Sequence, residues 1–136
     1  MKLEYLHDLS ELEEYEDMDL ESERLVRLYE FNQAQAEQLH AAITQTILTE
    51  KRSLQLAELD FIVCENCTLT LRIAEEDLGI HTSNNTIFYC DLTLAAYQKM
   101  LQLIAPFCGK KSYGYQWLYD DLDNPIDFLF SPRGTW

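Results

Sequence analysis

The sequence predicts an α+β fold: two βαββ-like units forming a mostly antiparallel sheet with two amphipathic helices on one face, preceded by an acidic N-terminal segment. Three observations carry this. Apolar residues alternate with polar ones in several short runs, as half-buried strands require, and these runs flank two stretches of helical spacing. Each helical stretch opens on a residue suited to an N-cap, Asn32 and Thr93, 61 positions apart. At that same offset Leu39, Ala42 and Ile43 fall on Met100, Leu103 and Ile104, so one pattern runs twice along the chain. With 136 residues, 47% of them hydrophobic, the chain is large enough to bury a core as a single domain without metal or disulfide staples. The expected division is an acidic segment over 1–23, exposed and mobile, and an α+β core over 24–136.

Residues 2–8 suit either a short strand or the start of a helix, because Leu3, Leu6, Leu9 and Leu12 recur every third position. Ser10 with Glu13 offers a capping box for a short helix over 11–17. Arg24 to Phe31 is a strand. Asn32 then caps a helix from Gln33 to about Arg52, with Ala36, Leu39, Ile43 and Ile47 on one face and Gln35, Gln38, Gln45 and Lys51 on the other. Leu59–Cys64 and Cys67–Ile73 are β-rich runs separated by Glu65 and Asn66, which predicts a tight hairpin. Gly79–Asn85 is a loop or frayed edge strand turning at Ser83-Asn84-Asn85, and Thr86–Cys90 is a strand. Thr93 caps the second helix, Leu94–Ala105, with Pro106 just beyond it.

The last 24 residues hold seven of the sixteen aromatics. Tyr113, Tyr115, Trp117 and Tyr119 alternate, so a regular strand would project all four rings from one face, which is expected to complete the core beneath the second helix. An acidic turn, Asp120 to Pro125, leads into a second alternating run, Ile126–Phe130. Trp136 has no place in this pattern.

Charge narrows the function more than any motif does. Net charge is −14, and residues 1–23 supply −9 of it, with ten acids against Lys2 alone. Such a field repels phosphate, so neither nucleic acid nor an anionic membrane is the expected partner; a basic protein is. No apolar run approaches the roughly 18 residues a bilayer span needs, and the first residues lack a signal peptide's basic start and apolar stretch. A cytoplasmic location follows, with Cys64, Cys67, Cys90 and Cys108 reduced.

The chemical motifs are sparse. Cys64-Glu65-Asn66-Cys67 has the spacing of a redox or zinc pair, but strands rather than a helix flank it and no second pair follows. Asp120, Asp121, Asp123 and Asp127 crowd one hairpin end without the glycine or terminal glutamate of a calcium loop. His7, His40 and His81 are scattered, and four glycines rule out a phosphate-cradling loop. No cofactor is expected. The leading expectation is a non-enzymatic binding domain, of the inhibitor or immunity type, that neutralises a basic partner through Tyr115, Trp117, Asp120, Asp121 and Asp123. Two alternatives are a small-molecule-binding or hydrolytic enzyme using Asp127 or His81 between sheet and helices, and a homo-oligomeric subunit pairing through the C-terminal hairpin.

Overall fold

A computed structural model describes residues 1–7, 24–110, 113–119 and 126–133. They form an α+β fold with nine strands in two mixed sheets and two helices. The first sheet orders its strands β4 (Val63–Cys64), β1 (Lys2–His7), β2 (Arg24–Tyr29), β9 (Ile126–Ser131), β8 (Gln116–Tyr119). The second orders them β3 (Leu54–Gln55), β5 (Thr68–Ile73), β7 (Ile87–Leu92), β6 (Gly79–Thr82). The predicted single, mostly antiparallel sheet is therefore corrected. Pairings β1–β4, β2–β9 and β5–β7 are parallel, and the strands divide between two sheets.

The division follows a rule. Each half of the chain opens with an antiparallel pair, β1–β2 or β6–β7, and after its helix sends its last strand into the sheet begun by the other half. There that strand lies parallel to the partner pair's second member, β9 beside β2 and β5 beside β7. Alternation of apolar residues tells a strand which face to bury but not which strand to pair with.

The two-fold pattern in the sequence does hold at the level of the helices. Helix α1 (Gln33–Ile43) and helix α2 (Leu94–Ile104) have equal length, and Ala36, Leu39 and Ile43 are buried at the positions equivalent to Tyr97, Met100 and Ile104. Asn32 caps α1 through a full capping box: its side chain accepts the Gln35 N–H at 2.9 Å, and the Gln35 side chain accepts the Asn32 N–H at 3.1 Å. Thr93 caps α2 by accepting the Ala96 N–H at 3.2 Å. The chain of α1 continues as a π-helix over Thr44–Thr49, short of the predicted Arg52. That of α2 tightens into a 3₁₀ turn, Ala105–Cys108, at Pro106.

Lys2–His7, ambiguous in sequence, is a strand whose Leu3 and Tyr5 are buried. The core is continuous from both sheets to both helices. Tyr5 meets Phe88 of the other sheet at 4.6 Å between ring centroids, and Phe130 stacks on Phe31 at 4.2 Å and meets Phe107 edge-on at 5.1 Å. Tyr97 ties α2 to the second sheet, its hydroxyl lying 2.7 Å from the Arg72 carbonyl oxygen and 2.8 Å from that of Cys90. Strand β9 sits between β2 and β8 and is buried along its whole length on both faces.

Two local expectations fail for identifiable reasons. Glu65 and Asn66 do not close a hairpin, since β4 belongs to the first sheet and β5 to the second. Asn66 Oδ1 accepts the Tyr5 N–H and its Nδ2 donates to the Tyr5 carbonyl, both at 2.8 Å, so this amide extends the edge of β1 as a strand residue would. The aromatic run also departs from one regular strand. Gly114 has a positive φ of 85°, β8 begins only at Gln116, and its register with β9 shifts between Trp117 and Tyr119. The predicted helix over 11–17 and the position of Trp136 lie outside the described residues.

Candidate binding surface

The aromatic strand is an edge. Among the described residues β8 pairs with β9 alone; Leu118 turns its side chain into the core at 5% exposure, and of the tyrosines Tyr119 packs partly against it. Tyr113 is 67% exposed and Tyr115 38%; Trp117 and Tyr119 are half-buried. This corrects the expectation that all four rings complete the core. Phe128 and Phe130 of β9 do that instead. The Tyr115 and Trp117 rings meet edge-on, 6.1 Å between centroids, so two of the five residues predicted to bind are brought together as one partly exposed aromatic ridge. The other three, Asp120, Asp121 and Asp123, lie outside the described residues.

Beside the ridge runs a groove of about 330 Å³ between β8 and α2. Trp117, Leu118 and Tyr119 form one wall; Ala95, Ala96, Lys99 and Leu103 form the other; Thr93 and Asp77 line it too. Asp77 is placed there by capping: its Oδ1 accepts both the N–H of Thr93, at 2.8 Å, and the Thr93 hydroxyl, at 2.9 Å. None of the helix-side residues is expected from the sequence to bind: Leu103 figures there only in the helix pattern and Thr93 only as a cap. The signal available was Ala95, Lys99 and Leu103 at every fourth position, which defines a helix stripe but not the strand that faces it.

A second cluster lies on the outward face of the four-stranded sheet. Arg72 and Asp91, cross-strand neighbours, make a bidentate ion pair with both bonds at 2.7 Å. His81 Nε2 lies 2.5 Å from Oδ2 of the same carboxylate, the oxygen that also accepts from Arg72 Nη2, and the Arg72 guanidinium sits 4.1 Å from the centre of the Tyr89 ring. Burial pushes the Asp91 carboxyl up, but the bonds from Arg72 and His81 outweigh it and hold its pKa below the usual range. The cluster fixes the orientation of His81, which remains half exposed. Asp127, the other residue considered for acid–base work, points from the outward face of the five-stranded sheet, since its neighbour Phe128 shares the inward face with Val26 and Tyr5. The two candidates thus face away from a common site.

The cysteines are all free. Burial pushes Cys67 and Cys90 up to about 12 and raises Cys64 and Cys108 as well, so these thiols stay protonated and poorly nucleophilic at neutral pH. Among the described residues no group of three or more His, Cys, Asp or Glu side chains is arranged to hold a metal ion, and no helix is long and apolar enough to cross a membrane. Compared with models of known protein families and with curated protein sequences, the chain matches none.

Proposed function

We propose that this protein is a non-enzymatic binding protein that docks a basic partner protein, as an inhibitor or immunity-type antidote does. The observation that carries the reading is a convergence of strand ends. His7, where β1 stops, pairs with Arg24, where β2 starts, and Arg24 is in register with Ile126, where β9 starts. The connections 8–23 and 120–125 therefore attach at one end of the five-stranded sheet. They contain twelve of the chain's 24 acidic residues and no basic one, while the remainder is nearly balanced. Negative charge tethered to one end of a compact frame steers a basic partner toward that end. The aromatic ridge along β8 supplies contact area of the kind that carries binding energy once encounter has occurred.

The test begins with capture of the partner from native lysate and its identification by mass spectrometry, followed by association kinetics. The on-rate is expected to fall roughly tenfold or more between low and high salt, as it does for steered encounters. Alanine at Asp120, Asp121 and Asp123 together is expected to slow association with little effect on dissociation. An on-rate indifferent to salt and to the triple substitution would refute the steering role.

A hydrolytic reading has one observation in its favour, the Asp91 carboxylate that orients His81. Hydrolysis in a screen of ester and amide substrates that is abolished by His81→Ala would establish it.

A further inference from the structure

A second groove, of about 520 Å³, lies along α1 near β4, at the other end of the five-stranded sheet's strand order from β8. Gln38, Ala41 and Ala42, which share one side of α1, form the first wall. Glu58, Leu59, Asp60 and Phe61, from the turn that leads into β4, form the second. That turn is pinned. The Leu59 N–H bonds the Leu56 carbonyl at 3.1 Å, the Ile62 N–H bonds that of Leu59 at 3.0 Å, and the Phe61 carbonyl accepts from the Met1 amino group at 3.0 Å. Ala42, Leu59 and Phe61 pack on the core yet are only partly buried, so they leave apolar surface in the groove. Glu58 and Asp60 stand exposed beside it. Neither is in an ion pair among the described residues, whereas Glu4, Glu30, Glu50, Glu65 and Asp91 are. Among the described residues no basic one lines the groove.

We propose that this groove is a docking site, separate from the ridge on β8, for a basic amphipathic helix of a partner protein. Charge and wall chemistry together select the occupant. Two uncompensated carboxylates beside apolar surface suit a face that presents leucine-like and arginine side chains together, the arginine stem lying on Leu59 or Phe61 and its head reaching Glu58 or Asp60. None of the lining residues belongs to a strand, so an extended segment would find no backbone row to pair with. A helix satisfies its own backbone and needs only side-chain contacts. Ala41 and Ala42 keep the wall low, which lets a second helix approach α1 closely. A second copy of this chain does not supply the occupant: α1 carries no lysine or arginine, α2 carries only Lys99, and the net charge is −14. Because β4 and β8 edge the sheet on opposite sides, the site goes beyond the steering and ridge reading and does not depend on it.

The experiment is an NMR titration of the ¹⁵N-labelled full chain with an alanine-based peptide of about 15 residues, long enough to hold a helix, that carries leucine and arginine along one side. The controls replace its leucines by alanine, replace its arginines by glutamate, or break its helix with a central proline. The parent peptide is expected to give saturable shifts confined to the amides of 37–42 and 57–62. The leucine-free and proline-broken peptides are expected to bind at least about tenfold more weakly, and the glutamate peptide not to bind. Glu58→Gln with Asp60→Asn, both exposed, is expected to weaken binding about three- to tenfold. Ala41→Arg fills the groove from the exposed side of α1 with a good helix former, and is expected to abolish the shifts while the spectrum stays folded. Equal binding of the proline-broken peptide would overturn the helical occupant. Equal binding of the leucine-free or glutamate peptide, or binding unmoved by Ala41→Arg or by the double substitution, would overturn the site. Absence of saturable shifts would overturn it too. Shifts confined to 113–119 would overturn this site while leaving the basic-partner reading intact.

Discussion

Replacing Asn66 by glycine separates two topologies that the sequence alone does not distinguish. Were Glu65-Asn66 the turn of a two-residue hairpin, glycine would be welcome, because the turns that suit such hairpins need positive φ. Neither residue has positive φ; the non-glycine residues that do, among those described, are Glu30, Lys51 and Asn85. Asn66 instead bonds both backbone groups of Tyr5, each at 2.8 Å, continuing a row in which Val63 N–H bonds the Met1 carbonyl and Glu65 N–H bonds that of Leu3, each at 2.9 Å. Asn66→Gly deletes two partly buried hydrogen bonds, each worth about 0.5–1.5 kcal/mol, and leaves two backbone groups of a core-lining strand poorly solvated. Glycine's extra freedom in the unfolded chain adds about 0.5–1 kcal/mol. The expected loss is therefore about 2–4 kcal/mol, which at roughly 3–5 °C per kcal/mol for a chain of this size lowers Tm by about 6–20 °C. Urea unfolding followed by circular dichroism measures it, with the midpoint shifted and the slope unchanged. A variant as stable as the parent, or more stable, would refute the crossover and restore the hairpin.

The remaining predictions concern caps, charge and a buried hydroxyl. Asn32→Ala removes the capping box of α1 and is expected to cost about 1 kcal/mol by the same urea assay. Tyr97→Phe removes the hydroxyl shared by the Arg72 and Cys90 carbonyls and is expected to cost about 1–2 kcal/mol, with the helical circular dichroism signal retained. For Asp91, whose native pKa is depressed, the folded state binds its proton less readily than the unfolded chain does. Its stabilisation is present above the unfolded carboxyl value, near pH 4, and is lost as pH falls through the native value. The stability gap between the parent and Asp91→Asn is thus expected to be open at pH 6 and to close in acid; a gap independent of pH would show that the carboxylate's charge is irrelevant.

Where local chemistry decides the outcome, the sequence was legible. Asn32 and Thr93 begin helices because a side-chain oxygen three residues before a free N–H has few better uses. The 61-residue offset foretold equivalent buried positions on the two helices, because a helix must bury whichever stripe its apolar residues form, but not their equal length, since the first was expected to reach Arg52. The turn at Ser83-Asn84-Asn85 was legible for the same reason, since the Asn84 side chain accepts the N–H groups of Thr86 and Ile87 within a few residues, whereas the sequence left open whether Gly79–Thr82 before it is loop or edge strand.

Of the candidate surface, the sequence pointed to the aromatic segment but misjudged which rings stay outside. Alternation predicted four inward rings; one positive-φ glycine and one register shift sufficed to expose Tyr113 and Tyr115 and to bury Leu118 instead. The opposite wall of the groove was invisible, because Ala96, Lys99 and Leu103 meet β8 only once the second half of the chain has crossed into the first sheet. By itself, then, the sequence determined the strands at Arg24–Tyr29, Thr68–Ile73 and Ile87–Leu92, the helix starts, the buried helix stripes and the uneven placement of charge, all set by interactions within a few residues. Only the tertiary structure decided that the halves exchange their last strands, that β1 borrows Asn66 as an edge partner, and that β8 runs beside α2. Those outcomes depend on which backbone edges meet across the chain, and strand pairing is specified by long-range burial that no local pattern encodes.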